Sequence, residues 1–525
     1  MSERPGTRAS VVAVAAVLAG SLATCRQPPV EPKPCPQPGA APFAAGRRAA
    51  VLPDSEPSPF DSAFAAAGRE FGVPAPLLKA IGWVETRWHM VEGAEEFPGR
   101  APAFGVMALR GGELERGATL AGVTVEAARH EPAANIGAAA ALLSAYAAEA
   151  GIDRSRVEAW AGVAARFSGI ELAEGRAAYG RQVQRALMAA RAVAAVSECP
   201  EPAPGGAPDY ASAVWRPSPN FDTRPADSTG AIHAVIIHTC ETNYASCWSW
   251  LVNPVSRVSA HYAVSEDGAE ISQLVGEPNR AWHIAALYEC GLNRRHDCRL
   301  NGVQSNHFTV GVEHAGFASQ DSFPDTQIDA SAALVCDITR DRAIPRDWQH
   351  ILGHGQLQPA NRTDPGPNWP WVPYLHRIQS HCGEVVVDDD AAFNDPQAAA
   401  VAAPAGWLVS DSTPDYYGPG YRWAPTRPDA ADSVVFSFRV DQPGPRTVDA
   451  RWTGGPNRSP RAVYVVIDAA GNTLATVQAD QTVGGGAWHT LGTWVFPAGW
   501  SRVVLLRRDT QGFVVIADAV RARKT

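Results

Sequence analysis

The chain carries three successive patterns of apolar and polar positions. From about residue 60 to 196 it is rich in alanine. There Leu77, Leu78, Ile81 and Val84 recur at helical spacing behind Pro74-Ala75-Pro76, which predicts helices, one of them opened by proline. In the middle, short runs that are apolar throughout predict buried strands at residues 234–238, 262–264 and 309–313, as in an α/β unit. From about Val385 apolar and polar positions alternate, as in Ser433-Val434-Val435-Phe436-Ser437-Phe438 and Val463-Tyr464-Val465-Val466-Ile467-Asp468, between Pro/Gly turns. That pattern predicts an all-β sandwich. Residues 26–58 and 197–212 hold prolines without periodicity and read as linkers, the first a stiff, extended tether.

Composition adds bounds to this picture. At 525 residues the chain is too long for one ordinary domain, and 46% hydrophobic with 19% charged residues is globular rather than disordered. A net charge of −9 with no basic block argues against a nucleic-acid partner. Arg4 and Arg8 precede an apolar run at 11–19 that is too short to span a membrane as a mature helix, and it reaches Leu22-Ala23-Thr24-Cys25. Residues 1–25 therefore read as a secretion signal. Its end resembles a bacterial lipoprotein cleavage box, although Thr24 is not the usual residue before the cysteine. The expectation is export to the periplasm, the outer membrane or the cell surface of a bacterium, with a lipid on Cys25 as membrane anchor. Removing Cys25 from the nine cysteines leaves eight, an even set suited to disulfides in an oxidising compartment. Cys240/Cys247 and Cys290/Cys298 are close enough in sequence to be candidates for local pairs, which would leave Cys336 with Cys382, while Cys35 and Cys199 bracket the helical block. Connectivity itself is not fixed by sequence. No C-x-x-C pair supports a zinc–thiolate site.

The candidate chemistry lies in the middle block. Gly353-His354-Gly355 to Thr363-Asp364-Pro365 puts an imidazole and a carboxylate on an irregular, Pro/Gly-rich loop, where side chains can converge free of helix or strand periodicity. Imidazole nitrogen and carboxylate oxygen both suit Zn²⁺, and a catalytic zinc takes three protein ligands plus one open position. A third candidate is His238, on which the run Val235-Ile236-Ile237-His238 ends. Taken singly these are weak signals, since a His and an Asp ten apart arise by chance in a chain with 14 His.

Six blocks in order are more specific. Ser218-Pro219-Asn220-Phe221-Asp222, Val235-Ile236-Ile237-His238-Thr239, Val258-Ser259-Ala260-His261-Tyr262 leading to Glu266-Asp267-Gly268, Arg280-Ala281-Trp282-His283, Val310-Gly311-Val312-Glu313 and the His354–Asp364 stretch follow one another. Together they resemble the zinc-dependent type-2 N-acetylmuramoyl-L-alanine amidases, relatives of the phage T7-type lysozyme and of peptidoglycan recognition proteins. The resemblance implies a zinc amidase domain at 213–383 that binds one Zn²⁺ through His238, His354 and Asp364. It implies Glu313 as general base and Arg362, where many relatives carry Lys, as a fixed cation for the oxyanion. Arg keeps the charge but cannot act as an acid. Trp282, His283 and Thr239 are implied in substrate binding, His283 as part of the cleft wall. His261 on its apolar strand reads as a buried structural histidine, and His233, His307 and His314 as surface or supporting groups.

The flanking blocks carry resemblances of their own. Ile81-Gly82-Trp83-Val84-Glu85-Thr86, Ala103-Phe104-Gly105-Val106-Met107, Pro132-Ala133-Ala134-Asn135 and Ala164-Ala165-Arg166-Phe167-Ser168 look like the lysozyme-like, lytic-transglycosylase fold. This implies a helical domain at 59–196 with Glu85 as a glycan-directed acid. Thr86 replaces the usual Ser, Ala108 the usual Gln, and Arg166-Phe167-Ser168 the usual Tyr-Asn-Ala, which leaves open a domain kept for glycan binding alone. In 384–525, Trp407, Tyr416-Tyr417-Gly418, Tyr421-Arg422-Trp423, Trp452 and Trp488 resemble the golvesin C-terminal-like module, with most of these aromatics read as core. The fold class expected is thus all-α lysozyme-like, then α/β amidase with a mixed central sheet, then all-β sandwich. The expected partner is peptidoglycan, through both glycan strand and stem peptide. Two other readings stand beside the amidase: a non-catalytic peptidoglycan receptor, and a glycan-strand transglycosylase or muramidase acting through Glu85.

Overall fold

Residues 58–97, 99–188 and 207–525 are described by a computed structural model. Residues 1–25, read above as a leader ending at Cys25, nearly all of 26–58, read as a tether, with Cys35, and residues 189–206 with Cys199 lie outside the described residues. No helix among the described residues is long and apolar enough to cross a membrane.

Helices come first. Pro74 caps Ala75–Thr86 as foreseen, and Leu77, Leu78, Ile81 and Val84 all point into a core shared with Phe64, Ile136, Leu142 and Leu143. The longest helix among the described residues, Pro132–Ala150, is apolar on most sides and runs through the middle of this core. The segment is not purely helical: Val91–Glu92, Ala103–Gly105 and Leu109–Arg110 form a small antiparallel sheet. Strands of two or three residues are too short for an alternating pattern to register.

A six-stranded mixed sheet forms the middle. In spatial order its strands are Ile351–Gly353, Ala234–Thr239, Thr309–His314, Tyr262–Val264, Ile271–Gln273 and Val214–Trp215. The first four are mutually parallel, and Ile271–Gln273 runs against Tyr262–Val264. Parallel strands are covered on both faces, which is why their sequences are apolar throughout. Helices Asp325–Asp341 and Trp371–His381 pack on one face through Ile328, Leu334, Val335, Leu375 and Ile378. This part of the chain starts before residue 213: the Asp209 carboxylate, inside the stretch read as a linker, accepts hydrogen bonds from Gln273 Nε2 at 2.6 Å and Glu277 N at 2.8 Å. Disulfides join Cys240–Cys247, Cys290–Cys298 and Cys336–Cys382.

The C-terminal region is all β. Antiparallel sheets of four and five strands enclose one apolar core, with Val434, Phe436 and Phe438 of Ser433–Val440 alternating inward to meet Val448, Ala450 and Val520. Trp407, Tyr417, Tyr421 and Trp452 are buried, as expected of core aromatics. At the edge facing the central part, Arg451 pairs with Asp347 at 3.3 Å and Gln349 Nε2 donates to Tyr416 O at 3.0 Å.

Three aspartates lie buried together at this edge, Asp388, Asp389 and Asp518, and Oδ2 of Asp388 and of Asp518 lack a hydrogen-bond partner. Burial pushes the Asp518 carboxyl up to about 7 and lifts Asp388 well above the usual carboxylate range. A carboxyl whose folded pKa exceeds its unfolded one stabilises the fold while protonated and loses that contribution as pH rises through the folded pKa. Asp518→Asn is therefore expected to flatten the fall in melting temperature between pH 5 and 8.5 and to raise stability at pH 8 by on the order of 3 kcal/mol. Thermal unfolding across that range checks this; a steeper fall in the variant would contradict it.

Candidate active site

Parallel strands bring their C-terminal ends to one edge, where open α/β sheets place their sites. Glu313 is the register partner of His238, and Gly353 is that of Ile237, so His354 enters one step beyond the sheet beside His238. Asp364 is folded back onto this edge by a backbone hydrogen bond from Gly355 N to Asp364 O at 2.8 Å. His238, Glu313, His354 and Asp364 are all at most 2% exposed.

Three donors converge. His238 Nδ1 lies 3.0 Å from His354 Nδ1 and 3.1 Å from Asp364 Oδ2, and His354 Nδ1 lies 3.2 Å from Asp364 Oδ2. This is the spacing of donors around one common centre roughly 2 Å from each, as zinc requires. Asp364 Oδ1 and Glu313 Oε2 are buried without hydrogen-bond partners. A fourth donor joins them: the carboxylate of Glu96, with Oε1 3.3 Å from His354 Nδ1, completes a buried Glu/His/His/Asp group able to hold a metal ion. The disulfide takes Cys240 and Cys247 out of any such role.

The charged groups at this centre shift one another's proton affinities. Burial and the neighbouring His354 push His238 down to about 4, so its imidazole is neutral. Burial opposes charge on His354, but Asp364 and Glu96 outweigh it and raise its pKa to about 10. Burial also works against the Asp364 anion, yet His354 and His238 hold its carboxyl far below the usual range. Burial, then Glu96 and Asp364, drive Glu313 well above it.

His283 stands behind His238 rather than in the open. Its Nδ1 is 3.0 Å from His238 Nε2 and its Nε2 is 3.1 Å from Thr309 Oγ1, which fixes Nδ1 of His238 as the nitrogen facing the site. Gly311 makes room for this, since a Cβ there would lie 2.4 Å from His283 Cγ. His261 is buried between Gly311 N and Arg224, and His314 reaches Ser331 behind the strand. Thr239 is buried and donates to Glu241 Oε1 at 3.2 Å, while Trp282 is half-buried. Arg362 is turned to the helical segment, donating to Glu95 O at 3.2 Å and Glu96 O at 3.0 Å.

Comparison with known proteins places this edge in a family. A family model described as N-acetylmuramoyl-L-alanine amidase matches residues 228–367. Over 195 residues the chain is 31% identical to N-acetylmuramoyl-L-alanine amidase A of Achromobacter lyticus, covering 33% of this chain and 98% of that one. The chain belongs to the N-acetylmuramoyl-L-alanine amidase family. A further relative, 1,6-anhydro-N-acetylmuramyl-L-alanine amidase AmpD of Citrobacter freundii, is 29% identical over 175 residues, 30% of this chain and 84% of that one. The Golvesin C-terminal domain model matches residues 391–524. Xanthan lyase of Bacillus sp. (strain GL1) is 27% identical over 226 residues, and the chain spans 22% of that protein's length against 42% of its own.

In this amidase the helical segment and the site edge are interlocked. Glu85, at the end of Ala75–Thr86, is 7% exposed, and its Oε2 accepts a hydrogen bond from Asn243 Nδ2 at 2.9 Å. Asn243 also caps helix Tyr244–Leu251 through its other side-chain atom, accepting from Ser246 N. Burial raises the Glu85 carboxyl above its ordinary value. Ala94 N donates to Glu241 Oε2 at 3.0 Å, and Arg110 Nη2 to Glu241 O at 2.6 Å. Sequence reading missed Glu96, Glu241 and Asn243. Glu95-Glu96 offered an acidic pair in a loop, which reads equally well as a solvated surface.

Proposed function

We propose that the chain is a zinc-dependent peptidoglycan hydrolase that cleaves the amide between N-acetylmuramic acid and the L-Ala of the stem peptide. The observation that carries it is the convergence of His238 Nδ1, His354 Nδ1 and Asp364 Oδ2 within 3.0–3.2 Å of one another at the C-terminal edge of the sheet, beside an unpartnered Glu313 oxygen. His238, His354 and Asp364 would hold the ion. When bound, zinc would polarise the scissile carbonyl and lower the pKa of water at the site.

The chain's own groups do the rest. Glu313 takes a proton from the attacking water and passes it to the nitrogen as the carbon–nitrogen bond breaks, so that the amine leaves neutral. His283 keeps His238 in one tautomer and orientation. Arg362 supplies a fixed positive charge near the developing oxyanion. Trp282, the half-buried aromatic beside His283 in sequence, and Thr239, next to His238, are assigned to substrate binding. Glu85, covered by Asn243, is assigned to the interface of a lysozyme-like helical domain with the amidase domain rather than to glycan chemistry. The golvesin-like module and the helical domain would bring the enzyme to its polymer. The leader and the disulfides support an exported enzyme working at the wall, with Cys25 as the site of a lipid anchor.

A soluble muropeptide bearing the muramoyl–L-Ala bond tests this. Zinc-loaded enzyme is expected to release the peptide with a free alanine amino terminus and to stop when a chelator is added. An intact substrate, or hydrolysis indifferent to the chelator, would sink the reading.

A further inference from the structure

We propose that Glu96 is a fourth protein donor to the amidase metal site, carried in from the helical segment, so that the enzyme is folded in a shut form. The assignment rests on the zinc reading above and deepens it. A catalytic zinc keeps one position open beside three protein ligands, whereas four protein ligands make the closed arrangement of a structural site. Here the fourth position is filled by a side chain of this same chain, 142 residues before the first of the other donors.

The placement of Glu96 is built rather than incidental. Its side chain is 4% exposed, with Oε1 3.3 Å from His354 Nδ1 and Oε2 3.4 Å from Arg362 Nε. The loop that carries it is pinned on both sides. Ala94 N donates to Glu241 Oε2, Phe97 is buried with Tyr244, Trp248 and Ala315, and Arg100 donates to Ser246 O and Thr242 Oγ1 at 3.2 Å each. Arg362, the expected oxyanion cation, spends two of its N–H groups on the carbonyls of Glu95 and Glu96.

Charge points the same way. Glu96 adds a third carboxyl to a buried pocket that already holds Asp364 and Glu313, and carboxylates crowded away from water are costly unless a cation offsets them. A divalent ion shared by the four donors is that offset. While Glu96 is bound, neither the substrate carbonyl nor its attacking water has a position to occupy. Withdrawal of the loop would free that position and the Arg362 guanidinium together.

The test uses the full-length protein and its Glu96→Ala, Glu96→Gln and His354→Ala variants. Three readouts are taken: the visible spectrum of the cobalt(II)-substituted protein, zinc affinity by chelator competition, and turnover of the muropeptide. Glu96→Ala is expected to change the cobalt spectrum, to weaken zinc binding by at least the roughly 10- to 100-fold that loss of an outer partner costs, and to raise turnover severalfold. Glu96→Gln, which keeps the shape of the side chain, is expected to fall between it and the parent. An unchanged spectrum and affinity in Glu96→Ala, with zinc binding lost in His354→Ala, would overturn the fourth donor and leave the zinc reading intact. Zinc binding untouched in both would overturn the zinc reading itself. Weakened zinc with unchanged or lower turnover would contradict the shut form.

Discussion

Glu313→Gln is expected to lower turnover by about two to four orders of magnitude, the contribution of a well-placed general base, while leaving the fold intact. The argument is local. Glu313 is the penultimate residue of an apolar parallel strand, directly opposite His238, is 1% exposed, and keeps one oxygen free of any hydrogen bond. Burial and the nearby Glu96 and Asp364 make its carboxyl a strong proton acceptor once ionised. Glutamine fills the same volume but cannot accept and pass on the proton. Because the substitution removes a buried ionisable group that lacks a full set of partners, the melting temperature should hold or rise. A loss of less than tenfold, with the fold intact, would remove Glu313 from this role.

His238→Ala is expected to abolish both activity and the response of stability to zinc. A ligand present at one hundred times its dissociation constant stabilises the native state by about 2.7 kcal/mol, so zinc should raise the melting temperature of the parent measurably. His238 is fully buried and touches His354, Asp364 and His283 at 3.0–3.1 Å, so its loss breaks the donor set and the group that orients it. Thermal unfolding with and without added zinc reads this directly. A parent protein whose melting temperature ignores zinc would contradict the metal reading.

The elements that carry these residues were legible in the sequence because they are extreme cases. Val235-Ile236-Ile237 and Val310-Gly311-Val312 are apolar throughout, as only strands buried on both faces are, and each ends on a polar group. Their register was not legible: nothing in either run says that Glu313 lies opposite His238. The local disulfides were suggested by separations of 7 and 8 residues, which close small loops. The end of the helix that carries Glu85 was visible from its apolar stripe, but its cover was not, since Asn243 arrives from 158 residues away. Glu96 was the least visible of all. It lies outside any periodic element, in a loop whose course is set by contacts to Glu241, Thr242 and Arg362 rather than by its own propensity.

Mass spectrometry of purified peptidoglycan digested with the zinc-loaded protein, beside a Glu85→Gln variant, tests the central claim most directly. The account predicts free stem peptides beginning with L-Ala, glycan strands left uncut, and the same products from the variant. Anhydro-muramyl fragments with their peptides still attached, lost when Glu85 is replaced, would contradict it.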